Sequence, residues 1–190
     1  MASLCGSLTP NVGNTTSKHR TILRDPEMAD LSARIDQAMA TFTREIIAPA
    51  RPANLRVTQS WLNRTEPGQY HHRHAHPGSL YSGVYYVSAT ESDRIMFFRG
   101  GYQRIKFPPA DYNPWNSETW WLPVKTGDLL IFPSELEHAV PNVEVGCRVS
   151  LAFNTWFDGD CGSVDDLTHL AVNLAGPYAV IGEDNPAPIG

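Results

Sequence analysis

The sequence lacks the features that would place it in several common classes of protein. Its three cysteines, Cys5, Cys147 and Cys161, lie far apart among 190 residues, so they form neither a CxxC motif nor a disulfide framework. The formal net charge of -5 argues against nucleic acid as a partner. No apolar run reaches the roughly 18 residues of a membrane-spanning helix, and the first residues do not resemble a signal peptide. These absences predict a cytoplasmic protein with no membrane segment.

What the sequence does contain indicates one globular unit. Hydrophobic residues make up 42% and charged residues 18% of the chain, as in ordinary folded domains. We expect three parts: a flexible N-terminal arm over residues 1–24, a catalytic domain over residues 25–157, and a C-terminal tail over residues 158–190 that packs on the domain. The arm is rich in Ser, Thr, Gly and Asn, while the tail is acidic and rich in Pro and Gly.

The segment from Asp25 to Ile46 predicts one helix. Asp25 is a favourable N-cap, and Pro26 suits the first helical position. Apolar residues recur at spacings of three and four along the segment: Met28, Leu31, Ile35, Met39, Phe42 and Ile46. Such a stripe is expected to pack against a sheet.

After Pro49 the pattern changes to short segments rich in aromatic and β-branched residues, separated by Gly, Pro, Asn and Asp. We expect strands over residues 55–63, 79–88, 94–100, 103–107, 118–124, 128–133, 138–142 and 148–156. Short strands at such intervals are typical of an all-β sandwich or barrel. The predicted fold class is therefore mainly β, with one flanking N-terminal helix.

The stretch GQYHHRHAHPGS, residues 68–79, holds four of the seven histidines. His74 and His76 lie two residues apart, so in an extended strand they share one face and can bind the same ion. His138 is the candidate for a third, distant ligand. Such a set leaves coordination positions open, as a catalytic metal requires. The alternative is that these histidines are solvated loop residues, and it is stronger for His71 and His72.

Arg148 follows His138 by ten residues, in a predicted strand. A guanidinium group matches a carboxylate in a bidentate fashion. On an inward-facing strand near a metal, Arg148 would hold the far carboxylate of a small diacid, and Ser150 would add a hydrogen bond. The alternative is an ordinary ion pair with a surface Asp or Glu.

Four motifs in order resemble those of the 2-oxoglutarate- and Fe(II)-dependent oxygenases: HAHPGS, SGVYY, GDLLIFPSELEH and RVSLAFN. More narrowly, the chain is similar to small oxygenases of bacteria and phages, and its His-to-Arg spacing is similar to that of prolyl 4-hydroxylases. The resemblance runs from about Trp61 to Trp156. It implies a double-stranded β-helix, or jelly roll, that binds Fe(II) and 2-oxoglutarate. It also implies His74 and His138 as iron ligands, Arg148 as the 2-oxoglutarate anchor, and oxidation of a C–H bond of a small molecule with release of succinate and CO2.

His76 departs from the pattern of the larger superfamily, which carries Asp at this position. No carboxylate occurs between Glu66 and Glu91 to replace it. The narrower group also uses His-x-His, so we take His76 as the third ligand. A second resemblance is to metal-binding cupins, which share the fold; their motifs fit here with a missing Glu and with Glu135 in place of Gly. This leaves a cupin-type dioxygenase, isomerase or lyase, or a metal-dependent binding module, as the alternative.

The remaining candidates concern the pocket and the choice among the histidines. Asn63 is expected to bind 2-oxoglutarate together with Ser150. Further pocket candidates are Trp61, His72, Ser82, Tyr85, Trp121 and Asn154. Strand alternation predicts that His72 shares the face of His74 and His76, whereas His71 points the other way. The predicted partner is a small-molecule substrate, and a homodimer stays open as the assembly.

Overall fold

Two antiparallel β-sheets are the main elements of the computed structural model, which describes residues 8–51, 53–100 and 108–174. The strands are β1 (Leu8–Pro10), β2 (Thr15–Ser17), β3 (Asn54–Thr65), β4 (His71–His74), β5 (Tyr81–Ser88), β6 (Arg94–Phe98), β7 (Thr119–Pro123), β8 (Leu129–Pro133), β9 (His138–Val140), β10 (Arg148–Cys161) and β11 (Leu170–Val172). The larger sheet has the order β1-β2-β3-β10-β5-β8, with β11 beside β10, and the smaller has the order β4-β9-β6-β7. The fold is a jelly roll, which confirms the predicted class.

The larger sheet buries apolar side chains on both of its faces. On one face, Leu151 and Phe153 of β10 pack in a core with Ile35 and Met39 of helix α1 (Ala29–Phe42). On the other face, β5 and β10 contribute to a second core that includes Ile95 of the smaller sheet. Because side chains alternate along a strand, every second residue of β5 and β10 points towards the space between the sheets.

The predicted helix is confirmed, with differences at both ends. It begins with a short 3-10 turn, Pro26–Met28, and ends in a π-helical turn, Thr43–Ile47. Asp25 occupies the N-terminal position, but its side chain makes no capping hydrogen bond. Ile46 was expected on the apolar stripe but is 70% exposed, because the wider π turn rotates it away from the sheet.

Residues 8–24, which composition assigns to a flexible arm, contain regular secondary structure. The hairpin of β1 and β2 extends the larger sheet next to β3, and the segment Ile22–Arg24 forms a 3-10 helix with two buried residues. Polar side chains of this segment are used for backbone pairing: the Leu62 N–H donates to Ser17 Oγ at 3.0 Å. A polar composition reports side chains that can be solvated, and it says little about whether the backbone finds strand partners.

Several predicted strand limits also differ from the structure. Strand β10 runs to Cys161, past residue 157 where the predicted catalytic domain ends, and the division into domain and tail stays a prediction. The predicted strand 103–107 lies outside the described residues, as do residues 1–7 and 175–190. Strand β4, which carries three histidines, was missed because its sequence is polar throughout.

The close approach of β5 and β10 depends on a glycine. Gly83 lies opposite Phe153, and a Cβ atom there would meet the Phe153 ring at well under 3.0 Å. We therefore expect Gly83→Ala to lower the free energy of unfolding by about 3 kcal/mol or more, at the upper end of overpacking effects. Urea unfolding measures this, with Gly100→Ala as the control because a Cβ at Gly100 meets nothing within 4 Å. Equal midpoints for the two variants would contradict the assignment.

Candidate metal centre

Three histidines meet where the ends of β4 and β9 pair. His74 and His138 are direct cross-strand partners, with ring centroids 4.4 Å apart. His76 lies in the turn after β4, and its backbone N–H donates to the Ser134 carbonyl at 2.9 Å. One ring nitrogen from each of the three histidines lies within 4.8 Å of the others. Such a cluster can bind a single ion and leaves the side facing the cavity open for other ligands.

Backbone hydrogen bonds fix which nitrogen of two of these rings is available. His74 Nδ1 lies 2.7 Å from the His72 carbonyl, and His138 Nδ1 lies 3.0 Å from the Leu136 carbonyl. Because a carbonyl oxygen only accepts, both Nδ1 atoms carry the hydrogen, and the lone pair lies on Nε2. Metal-binding histidines commonly show this arrangement, in which the second nitrogen donates to a carbonyl or carboxylate.

The three rings are held in the neutral form that metal binding requires. Burial, followed by the neighbouring imidazoles, lowers the pKa of His76 to about 3. Burial is also the main cause that lowers the pKa of His138 to about 4, and it lowers the pKa of His74. At neutral pH, no proton therefore competes with a metal ion for the ligand nitrogens.

The same shifts make the metal-free protein sensitive to acid. Below the ordinary histidine pKa of about 6.5, the unfolded chain takes up protons that the folded cluster does not bind. The folding stability therefore decreases as the pH is lowered. We expect a progressive loss from about pH 6.5 downwards. Urea unfolding of the metal-free protein at pH 7.5 and 5.5 measures it. His76→Phe should flatten the dependence and the control His169→Phe should not; a stability independent of pH in this window would contradict the prediction.

Arg148 is buried beside the histidine cluster without an anionic partner. Its side chain is 3% exposed and lines the same cavity as the three histidines. One terminal nitrogen, Nη2, donates to the Tyr86 hydroxyl at 3.3 Å, whereas Nε is buried with no hydrogen-bond partner. Among the described residues, no carboxylate forms an ion pair with it. A buried charge left unpaired is unfavourable, so an anion from outside the chain fits this position.

The cavity between the two sheets brings most of the predicted site residues together. It is lined by Trp61, Asn63, Thr65, His71, His74, His76, Ser82, Gly83, Val84, Ile95, Phe132, His138, Val140, Arg148, Ser150 and Ala152. Asn63 and Ser150 are cross-strand partners, and the buried Asn63 Oδ1 has no hydrogen-bond partner. The cavity volume is about 30 Å³, close to that of a single water, so a bound diacid must widen it.

Of the predicted pocket residues, Trp61 and Ser82 line the cavity, whereas His72, Tyr85, Trp121 and Asn154 do not. Tyr85 packs on the helix side of the larger sheet, because Ser82 faces the cavity and side chains alternate along β5. Trp121 is 47% exposed, with the Arg94 guanidinium 5.3 Å from its ring centroid, and it borders a separate surface groove. Asn154 lies next to the cavity, where its Oδ1 accepts a hydrogen bond from Ser82 Oγ at 2.8 Å.

Sequence reasoning missed Tyr86, which contacts Arg148 through both its hydroxyl and its ring. The Arg148 Cζ atom lies 5.1 Å from the Tyr86 ring centroid, and burial raises the pKa of the Tyr86 hydroxyl. The signal was present, since alternation from Ser82 leads through Val84 to Tyr86 rather than to Tyr85. Tyr86 therefore restricts the orientation of the buried guanidinium.

The histidine run does not follow strict alternation either. The register between β4 and β9 shifts between His71 and His74, so an irregularity of the bulge type separates the two residues. As a result, His71 lines the cavity together with His74, whereas His72 does not line it. The expectation that His71 points away is therefore wrong. A second group, His71, His72 and His74, also has ligand atoms within 4.8 Å of one another.

Comparisons with known proteins agree with this geometry. A family model described as "Putative 2OG-Fe(II) oxygenase" matches residues 59–154, about half of the chain. No curated protein matches the sequence. In the part of the chain that the structure describes, no helix is long and apolar enough to cross a membrane.

Solved structures with the same fold include three named oxygenases or hydroxylases. A 2OG-Fe(II) oxygenase family oxidoreductase from Burkholderia pseudomallei has a TM-score of 0.56 and 13% identity, over 81% of this chain and 74% of that chain. A Pseudomonas putida prolyl-4-hydroxylase has a TM-score of 0.51 and 17% identity, over 78% and 77%. HygX from Streptomyces hygroscopicus, solved with nickel, 2-oxoglutarate and hygromycin B, has a TM-score of 0.53 and 15% identity, over 78% and 72%. At these low sequence identities, the TM-scores establish a shared fold alone.

Proposed function

The chain belongs to the 2OG-Fe(II) oxygenase family, and on this premise we propose that its three clustered histidines bind Fe(II) while Arg148 binds 2-oxoglutarate. The enzyme is thus an oxidoreductase that depends on both cofactors. We propose further that it oxidises a C–H bond of a small-molecule substrate. A cytoplasmic location is also part of the proposal, supported by the free thiols of Cys147 and Cys161.

The observation that carries this proposal is the buried Arg148 on the same cavity as the histidines. A surface-type ion pair, the alternative role for this residue, is not supported, because the described residues offer it no carboxylate. The cavity lining contains no Asp or Glu, so the positive charges of Arg148 and the metal would be balanced by the ligand. A dianion that presents one carboxylate to each end of the cavity suits this arrangement.

Different residues of the chain would bind the metal and 2-oxoglutarate. His74, His76 and His138 would supply three neutral nitrogen donors, a type of ligand that suits iron. Arg148 would hold the distal carboxylate through paired N–H donors, with the Ser150 hydroxyl as a further donor. The Asn63 amide, rotated by half a turn, would present its NH2 group to the cavity. When bound, iron and 2-oxoglutarate supply the oxidising chemistry, with succinate and CO2 as co-products.

The reaction can be tested without knowledge of the substrate. We expect Fe(II)-dependent release of succinate from 2-oxoglutarate in air, through turnover that is not coupled to substrate oxidation. Calorimetric titration of 2-oxoglutarate into the metal-loaded protein without oxygen tests binding alone. The absence of both turnover and binding would overturn the proposal and favour a cupin-type enzyme or binding module.

His76→Asp tests the third ligand. This change restores the common set of two histidines and one carboxylate, so we expect the variant to bind iron and to keep part of its activity. The shorter side chain should weaken binding, while His76→Ala should weaken it more. His72→Ala serves as the control and should bind metal as the parent does. If His72→Ala loses iron and His76→Ala retains it, the ligand assignment is wrong.

A further inference from the structure

A chain of polar side chains encloses the end of the cavity beside Arg148. Asn14 Nδ2 donates to Thr65 Oγ1 at 3.5 Å, and Asn11 Nδ2 donates to Asn14 Oδ1 at 3.0 Å. Asn11 Nδ2 also lies 3.4 Å from His71 Nε2. Both ends of this chain, Thr65 and His71, line the cavity, and Thr65 is the cross-strand partner of Arg148.

The β1–β2 turn that carries the two asparagines is fixed against the start of β4. The Tyr70 N–H donates to the Gly13 carbonyl at 3.1 Å. Gly13 has a positive φ of 83°, and a Cβ there would lie 2.7 Å from the Tyr70 carbonyl oxygen. Only glycine suits this contact. The turn therefore holds Asn11 at a set position relative to His71.

This contact determines the tautomer of His71. The Asn11 amide is oriented by its hydrogen bond to Asn14 Oδ1; in this orientation its nitrogen donates, and His71 Nε2 accepts. An imidazole that accepts at Nε2 carries its hydrogen on Nδ1. Among the described residues, no acceptor is bonded to His71 Nδ1. Nδ1–H is then the remaining donor of the ring, and His71 lines the same cavity as Arg148.

We propose that His71 is a positioning residue for 2-oxoglutarate, which donates its Nδ1–H to the distal carboxylate beside Arg148. The N-terminal hairpin sets the required tautomer through Asn11. The inference rests on the proposed function, since it assumes that 2-oxoglutarate occupies the cavity. The inference gives a role to His71, which lines the cavity although strict strand alternation would point its side chain away.

The test measures 2-oxoglutarate affinity and metal affinity separately. Calorimetry without oxygen, on protein loaded with Co(II), gives the dissociation constant for 2-oxoglutarate in each variant. We expect His71→Phe, which keeps a ring but removes the donor, to weaken binding about tenfold, which corresponds to about 1.4 kcal/mol. His71→Asn places an amide donor near the position of Nδ1 and should recover most of the affinity. The matched control, His72→Phe, should bind as the parent does.

Two further measurements separate positioning from a general structural role. The loss in His71→Phe should be absent for 2-oxobutanoate, an oxo acid without the distal carboxylate. Nitrogen-15 NMR of the parent should show hydrogen on His71 Nδ1 and none on Nε2. Co(II) affinity should be equal in the parent and in His71→Phe, which also shows that the variant is folded.

Each contrary outcome has a distinct meaning. Equal 2-oxoglutarate affinity in the parent and His71→Phe, or an Nε2–H tautomer, would overturn the inference and leave the proposed function intact. Loss of Co(II) in His71→Phe would also overturn it, because His71 would then act as a metal ligand with His72 and His74. If the metal-loaded parent does not bind 2-oxoglutarate at all, the proposed function itself fails.

Discussion

Arg148→Met is expected to abolish 2-oxoglutarate binding while leaving the metal-free protein at least as stable as the parent. The guanidinium is buried, and its Nε has no partner. A methionine of similar length fills the space without a charge to desolvate, and removing buried charges in this way is often neutral or stabilising. A ligand carboxylate would lose its charged partner, a change that commonly costs about 2–5 kcal/mol, or about 30-fold or more in affinity.

The combination of effects distinguishes a binding arginine from a structural one. Thermal unfolding with and without 2-oxoglutarate, in the presence of Co(II), reports both quantities. The parent should show a ligand-dependent rise in Tm, whereas Arg148→Met should show no rise. Without 2-oxoglutarate, the Tm of Arg148→Met should equal or exceed that of the parent. Arg64→Ala is the control, because Arg64 pairs with Glu66 at the surface. A strongly destabilised Arg148→Met that still binds 2-oxoglutarate would assign Arg148 to the fold.

His138→Ala is expected to abolish metal binding. His138 is the most buried of the three clustered histidines, and it comes from a different strand than the other two. Its removal leaves two imidazoles from one short segment, with no described carboxylate in the cavity lining to replace it. Loss of residues that only support ligands commonly costs about 10–100-fold in metal affinity, so loss of a ligand should exceed this range.

Titration with Co(II), followed by its visible absorption, measures the effect. The parent should develop bands from nitrogen ligands at one equivalent, whereas His138→Ala should not at the same concentration. His169→Ala removes an exposed histidine outside the cluster and should titrate as the parent does. A His138→Ala variant that binds Co(II) with the affinity of the parent would show that the metal lies elsewhere, and the group of His71, His72 and His74 would be the next candidate.

The proposed set of three neutral ligands has a consequence for the charge of the site. With His76 in place of the superfamily's aspartate, the proposed ligands would give the metal no negative charge. The cavity also contains the positive charge of Arg148 and no acidic side chain. Both features favour a dianionic ligand over a neutral one. The departure at His76 is thus compatible with 2-oxoglutarate binding, and the His76→Asp variant measures how much the extra negative charge changes it.

Much of the site could be predicted because its chemistry depends on residue type and spacing. His74 and His76 alternate on one segment, and His138 and Arg148 follow predicted strands. These features depend only on residue types and spacing along the chain, so they can be identified without the fold. The same holds for the fold class, since short segments of β-branched and aromatic residues separated by turn residues can bury their apolar faces only by stacking sheets.

The sequence alone therefore indicated the mainly β class, the helix, the candidate histidines and the arginine, while the resemblance to the oxygenase family implied the jelly roll. Only the tertiary structure decided which way His71 points, because the irregularity in β4 arises from pairing with β9, a strand far along the chain. It also decided that the polar residues 8–10 and 15–17 pair as strands, since β2 pairs with the distant strand β3. Only the tertiary structure, likewise, showed that no carboxylate among the described residues pairs with Arg148. Whether a charge is buried and unpaired depends on every segment that surrounds it, and no local pattern contains that information.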